Sequence, residues 1–222
     1  MPEQRLLFSK TGRARFISHL DLMRTFQRAF LRAGIEIKHT EGFNPHAFVS
    51  IALPLSVGYS SQCEILEFSL TGNVSPDQVP ARLNAALPEG IEVLRCYNAQ
   101  KPIKALTWVD YTVTLDYDAP LAGEAAQALE AMLGQEALVV QKKSKKAKSG
   151  FTEVDMIPLI RSHRIEATAN TVMLNVVVRA QNPGLNPALI LEALTGSHPS
   201  LAPSYTTFTR NTDLDETGTR FE

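Results

Sequence analysis

From position 109 to 117 the chain alternates without a break, with Val109, Tyr111, Val113, Leu115 and Tyr117 set against Asp110, Thr112, Thr114 and Asp116. A repeat of two sustained over that length is the pattern of a half-buried β-strand. Such a strand needs neighbours to pair with and a layer to cover its apolar face, and the flanking segments supply both. Leu121 to Leu133 reads as a helix ended by Gly134, and Val172 to Val178 as a buried strand. Asn186-Pro187 opens a helix through Leu189, Ile190 and Leu194 that Gly196 stops, and Ser204 to Thr209 follows as a last strand. Ala137 to Val140 reads as a strand leading into a lysine-rich loop, 142–148, while Phe151 to Arg164 fits neither period.

The first half uses the same grammar. Arg5 to Ser9 is a short strand closed by Lys10-Thr11-Gly12. Ser18 with Asp21 three positions on has the spacing of a capping box. The helix it opens runs to about Ala33, with Leu22, Phe26, Ala29, Phe30 and Ala33 on its buried face and Gly34 in the C′ position. Ile35 to His39, Phe48 to Leu53 and Ile65 to Leu70 read as strands. Ser75-Pro76 opens a second helix through Val79, Leu83, Ala86 and Leu87, and Ile91 to Tyr97 returns as a strand. The order is β-α-β-β-α-β. The fold class that follows is α+β, as two tandem ferredoxin-like (βαββαβ) halves, 1–98 and 105–222, joined by a linker through Pro102.

Lys and Arg total 22 against 23 Asp and Glu, a formal net charge of −1, so no global field draws the chain to nucleic acid or membrane. Local clusters must carry any such affinity. Cys63 and Cys96 are too few and too far apart for a disulfide framework or a zinc cage, which suits a reducing compartment. Leu6-Leu7-Phe8 is cut short by Ser9-Lys10, so no signal-peptide core is expected, and no apolar run reaches a membrane span. The expectation is a soluble, cytoplasmic protein with no metal and no cofactor.

Polar and basic residues concentrate early in the chain. Arg24, Arg28 and Arg32 recur every four residues along the first helix, and Lys10, Arg13 and Arg15 sit in the loop feeding it. Cations beside a helix N-terminus suit phosphate groups, because free N–H groups converge there. His19, Asn44 and His46 add directional hydrogen-bonding groups, with Gly42 and Asn44-Pro45 making the bend between Phe43 and Phe48. Aromatic rings beside a basic surface can stack bases, and they can equally pin a hairpin. The site read from these residues is Lys10, Arg13, Arg15, His19, Arg24, Arg28, Asn44 and His46, binding RNA or another substrate. His39, His46 and His19 lack a carboxylate or thiol at ligand spacing, which argues against a metal centre.

Phe8-x-Lys10-x-Gly12, Phe16-Ile17-Ser18-His19-Leu20-Asp21, Gly42-Phe43-Asn44-Pro45-His46 and Leu53-Pro54-Leu55-x-Val57-Gly58 together resemble the radical-SAM-linked domain family of unknown function. Val154-Asp155 and Thr209-Arg210 extend the likeness more weakly. Members of that family occur fused to, or alongside, B12-binding radical SAM proteins. The resemblance therefore implies an accessory protein with a radical SAM partner in trans, since this chain lacks the cluster cysteines. Phe48 departs from the pattern, because many relatives carry a basic residue after Asn-Pro. A more distant likeness of architecture is to CRISPR repeat-processing endoribonucleases, which would make His19 or His46 a general acid or base. A third alternative is a protein–protein adaptor that binds no RNA.

Overall fold

The computed structural model describes residues 4–143 and 150–222. Of the lysine-rich loop, residues 144–148 lie outside that range. The chain divides into two compact units: Met1–Ala105 with Thr209–Thr212 and Arg220–Glu222, and Leu106–Phe208 with Asp213–Thr219.

In the first unit β1 (Gln4–Lys10) pairs antiparallel with β3 (Ser60–Phe68) on one side and with β4 (Ile91–Asn98) on the other. The far edge of β3 takes β2 (Ser50–Ile51) at one end. At its other end Thr209 and Arg210 run parallel to Ser60 and Ser61. Helix α1 (His19–Arg32) begins where the capping-box spacing places it, with Ser18 Oγ accepting from the Asp21 amide at 3.2 Å. Its apolar face, Leu22, Phe26, Ala29 and Phe30, is buried on the sheet. Phe26 meets the Phe8 ring edge-on at 4.8 Å, and Phe30 lies 5.0 Å from Phe68. Each such side chain gains about 1.5–3 kcal/mol over leaving it in water.

Three expectations change here. Ile35 to His39 is not a strand. Ile37 and His39 make only isolated bridges, to Leu70 and Ala47. The segment instead folds back on itself, with Thr40 N–H bonding His46 O and Phe48 N–H bonding Lys38 O, both at 2.8 Å. The turn chemistry of Gly42 and Asn44-Pro45 draws these hydrogen bonds inward and away from a long ladder. Phe48 to Leu53 shrinks to β2 for a related reason, since its ends bond elsewhere, Phe48 N–H to Lys38 O and Leu53 O to the Arg210 guanidinium. The second helix is broken into a 3₁₀ turn, Pro76–Gln78, and α2 (Val79–Asn84). Pro80 is tolerated only in a first turn, so the α-helix starts beside it.

In the second unit β9 (Thr171–Arg179) pairs antiparallel with β5 (Trp108–Asp116) and with β8 (Ile160–Ala167). The last strand, β10 (Tyr205–Leu214), follows β5, with Thr107 N–H on Leu214 O at 2.9 Å and Ser204 N–H on Asp116 O at 2.8 Å. Val109, Tyr111, Val113 and Leu115 are all buried, as their alternation requires. Helices α3 (Ala122–Leu133) and α4 (Ala188–Ser197) bury Leu129, Met132, Ile190 and Leu194. A separate hairpin joins β6 (Val139–Lys143) to β7 (Phe151–Asp155). Phe151 to Arg164 thus holds β7 and the start of β8, whose exposed residues hide any apolar period. Gly196 lies inside α4 rather than ending it. The helix stops because His198 precedes Pro199, which disfavours α conformation. Among the described residues no helix is long and apolar enough to cross a membrane.

Candidate functional site

Lys10 is the one expected site residue that the fold removes from the surface. It is 1% exposed, and its Nζ donates to Ile17 O at 2.9 Å and Arg15 O at 3.3 Å. Burial holds its ammonium below the ordinary lysine value. The Glu64 carboxylate offsets part of that, and the Arg210 charge adds to it. Arg210 Nη1 in turn donates to Glu64 Oε1 at 2.9 Å and to Leu53 O at 2.8 Å. Gly58 N–H bonds Arg15 O at 2.8 Å. Lys10, Leu53, Gly58 and Arg210 therefore belong to one internal network that fastens the loops at 11–17 and 53–58. A basic residue in a motif reads as a phosphate contact only if water can reach it, and Lys10 is out of reach.

The remaining cations divide into two groups. Arg13 is exposed on the 3₁₀ turn Gly12–Phe16, and the Arg15 guanidinium lies 4.8 Å over the Phe16 ring. His19 occupies the first turn of α1 and is half-buried. Arg24 and Arg28 face elsewhere, into a groove of about 820 Å³ between α1 and the segment from Ile35 to Ala47. Arg32 does not join them. Its Nη2 donates to Ala86 O at 2.6 Å, because the eight positions from Arg24 carry the helix about 80° past two full turns.

The groove has a defined chemistry. Phe30, Ile35 and Ile37 floor it, and Arg24, Arg28, Glu36, His39 and His46 bring it polar groups. Gln27 reaches across to donate to Ala47 O at 3.0 Å, tying the helix to the returning arm of the loop. His39 Nδ1 lies 3.1 Å from Ile37 O, and His46 Nδ1 lies 3.1 Å from Asn44 O. A carbonyl only accepts, so the tautomer of a neutral ring that satisfies both contacts carries its proton on Nδ1 and leaves Nε2 as the acceptor. Thr40 Oγ1 holds the His46 amide at 3.2 Å and lies 3.1 Å from its Nδ1. Arg24 pairs with Asp21 at 3.2 Å, but both ends are more than 60% exposed, so water competes for that pair. The site thus offers two guanidinium groups, two imidazole acceptors and one carboxylate over an apolar floor.

Asn44 is exposed at the loop tip beside Phe43, which is fully exposed. Gly42 holds φ at +124°, a region that side-chain-bearing residues avoid, and so sets the bend that carries both. The fold brings Arg24, Arg28 and His46 into one groove and leaves Arg13, Arg15 and His19 on the approach to α1. Glu36, Gln27 and His39 were missed as site residues. Part of that face was legible, because Arg24, Gln27, Arg28 and Leu31 follow the i, i+3, i+4, i+7 spacing of one helix stripe. Among the described residues no three His, Cys, Asp or Glu side chains are placed to hold a metal ion.

Fold and site together define a mixed α+β protein, dominated by sheet, with a cation-bearing groove on the helix-and-loop face of its first unit. The family model of uncharacterized proteins conserved in bacteria, DUF2344, matches residues 4–187, and the chain belongs to that family. No curated protein matches the sequence. A chain in the crystal structure of a Cbf5-Nop10-Gar1 complex superposes with a TM-score of 0.54 at 9% identity, covering 96% of this chain and 49% of that one. A chain of the archaeal box H/ACA sRNP Nop10-Cbf5 complex gives 0.47 at 9% identity, covering 94% and 47%. This chain spans about half the length of those it matches, and the first likeness is one of fold.

Proposed function

We propose that this protein is an accessory module that binds RNA through the α1 groove, of the tRNA or rRNA kind, and presents it to a radical SAM enzyme supplied in trans. The observation that carries the RNA reading is the meeting of Arg24, Arg28, His39 and His46 on one groove. Guanidinium groups engage phosphates, and imidazole acceptors engage hydroxyl and amino donors. Asn44 extends that surface at the loop tip, and Arg13, Arg15 and His19 add a second basic stretch at the start of α1. The radical SAM partner rests on the motifs from Phe8 to Gly58, and a cytoplasmic setting suits two free cysteines. Strand orders β4-β1-β3-β2 and β10-β5-β9-β8 support reading each unit as ferredoxin-like.

The test is RNA binding by the full chain over a range of salt, with Arg24 and Arg28 both changed to Ala. Both side chains are exposed, so the fold is expected to survive. Each phosphate contact on a single strand contributes about 0.7 to the salt slope, so the double variant should lose about 1.4. An unchanged slope would remove the assignment. Tagged protein recovered with a radical SAM chain would support the partnership, and recovery of that chain without RNA would make this an adaptor.

A second reading draws on the two imidazoles in the groove. An endoribonuclease could use His46 with His39, rather than His19, as base and acid on a 2′-hydroxyl. It expects cyclic-phosphate products that vanish with His46→Ala. Cleavage that persists in that variant would end it.

A further inference from the structure

Resting on that RNA-binding reading, we propose that the groove takes a single unpaired ribonucleotide and that Phe43 stacks a neighbouring base. The RNA bound would then be single-stranded: a loop, bulge or end rather than a duplex.

The first argument is Phe43 itself. Its ring is fully exposed at the tip of a loop, so it contributes nothing to the core. The loop beneath it is nonetheless built: Thr40 and His46 exchange hydrogen bonds at 2.8 and 3.2 Å, and Gly42 adopts a backbone that a side chain would strain. A fixed loop that presents a bare aromatic ring at its tip, and whose His46 lines the same groove as Arg24 and Arg28, is a stacking platform in form. Bases in a duplex are already stacked on one another and cannot reach such a ring. Splayed bases can.

The second argument is Glu36. A groove for a plain polyanion would not carry a carboxylate in the same lining as Arg24 and Arg28. In the tautomer that satisfies the Ile37 and Asn44 carbonyls, His39 and His46 each keep Nε2 as an acceptor, so with Glu36 they ask for donors, while the arginines ask for an anion. A ribonucleotide has both, in its phosphate on one side and its base amino groups and 2′-hydroxyl on the other. Its flat apolar base faces suit a floor of Phe30, Ile35 and Ile37.

The experiment is fluorescence anisotropy of the full chain with one short RNA, first as a single strand and then annealed to its complement. A second probe strand carries a fluorescent aminopurine whose emission falls on stacking, and an acidic polypeptide of matched charge serves as competitor. The single strand should bind several-fold tighter than the duplex and quench on binding. Phe43→Ala should weaken the single strand by about five- to a hundredfold and abolish the quench, with Phe43→Trp retaining both. Because the ring packs against nothing, the fold is expected to tolerate both changes. Equal binding of single strand and duplex, unmoved by Phe43→Ala, would overturn this inference and leave RNA binding standing. Competition by the acidic polypeptide at equal affinity would overturn it in favour of a peptide site. No binding of either RNA would remove the reading beneath it.

Discussion

Arg210 and Glu64 stand 146 positions apart in sequence, and their side chains meet at 2.9 Å with only 3% and 1% of them exposed. The same guanidinium nitrogen donates to Leu53 O, while Glu64 Oε2 has no hydrogen-bond partner among the described residues. Two charges taken out of water gain little overall, but each becomes expensive without the other. Arg210→Met is therefore expected to cost about 3–5 kcal/mol in urea unfolding, and adding Glu64→Leu should recover most of it. A loss below about 1 kcal/mol in the single variant would show that water reaches the pair.

Ser18 performs two tasks at the start of α1. Its hydroxyl oxygen accepts from the Asp21 amide at 3.2 Å, and the hydroxyl lies 2.7 Å from Asp21 Oδ2. The Ser18 hydrogen bond, ahead of the contacts with Arg24, holds the Asp21 carboxyl below the usual carboxylate value. Since the folded state favours the ionised form, this stabilisation is present above the unfolded value and is lost as pH falls through the folded one. Ser18→Ala should cost about 1 kcal/mol as a lost cap and move the Asp21 titration upward in carboxyl NMR. An unmoved titration would show that Arg24 sets it instead.

Gly90 tests the loop that delivers α1. Its φ is +85°, and a Cβ there would stand 2.5 Å from Thr11 O. Its own carbonyl accepts from Thr11 N–H at 2.8 Å. Gly90→Ala is expected to lower stability by about 1–3 kcal/mol, combining backbone strain with the clash. Thermal melting that shifts by less than a degree would mean that the turn rearranges freely.

Cys96 should be a poor nucleophile. Burial, with a smaller push from the Asp77 carboxylate, raises its thiol from 9.0 to about 11. At pH 8 its thiolate fraction is then about a hundredfold below that of an ordinary cysteine, and alkylation should slow in proportion. Modification at the rate of a free thiol would show that the β4 edge opens.

Local signals were legible in the residues alone. The cap at Ser18, the helix face from Leu22 to Phe30 and the alternation from Val109 to Tyr117 each rest on contacts within one turn or one pleat, which spacing encodes directly. The interrupted second helix was also written there, in Pro80, though periodicity masked it. Ile35 to His39 and Phe151 to Arg164 were not legible, because whether a short stretch joins a ladder depends on the edge offered to it. The site divides in the same way. The sequence placed Arg24 and Arg28 on one helix stripe and Phe43 at a bend. Only the tertiary structure brought His39 and His46 into one groove with those arginines, by folding the loop back beside α1. It alone buried Lys10 as well. A charge is counted the same wherever it stands in a sequence, but the access of Lys10 to water ends where the 11–17 loop closes over it. Arg15 O and Ile17 O accept from its Nζ there, and Gly58 N–H holds Arg15 O from the neighbouring loop.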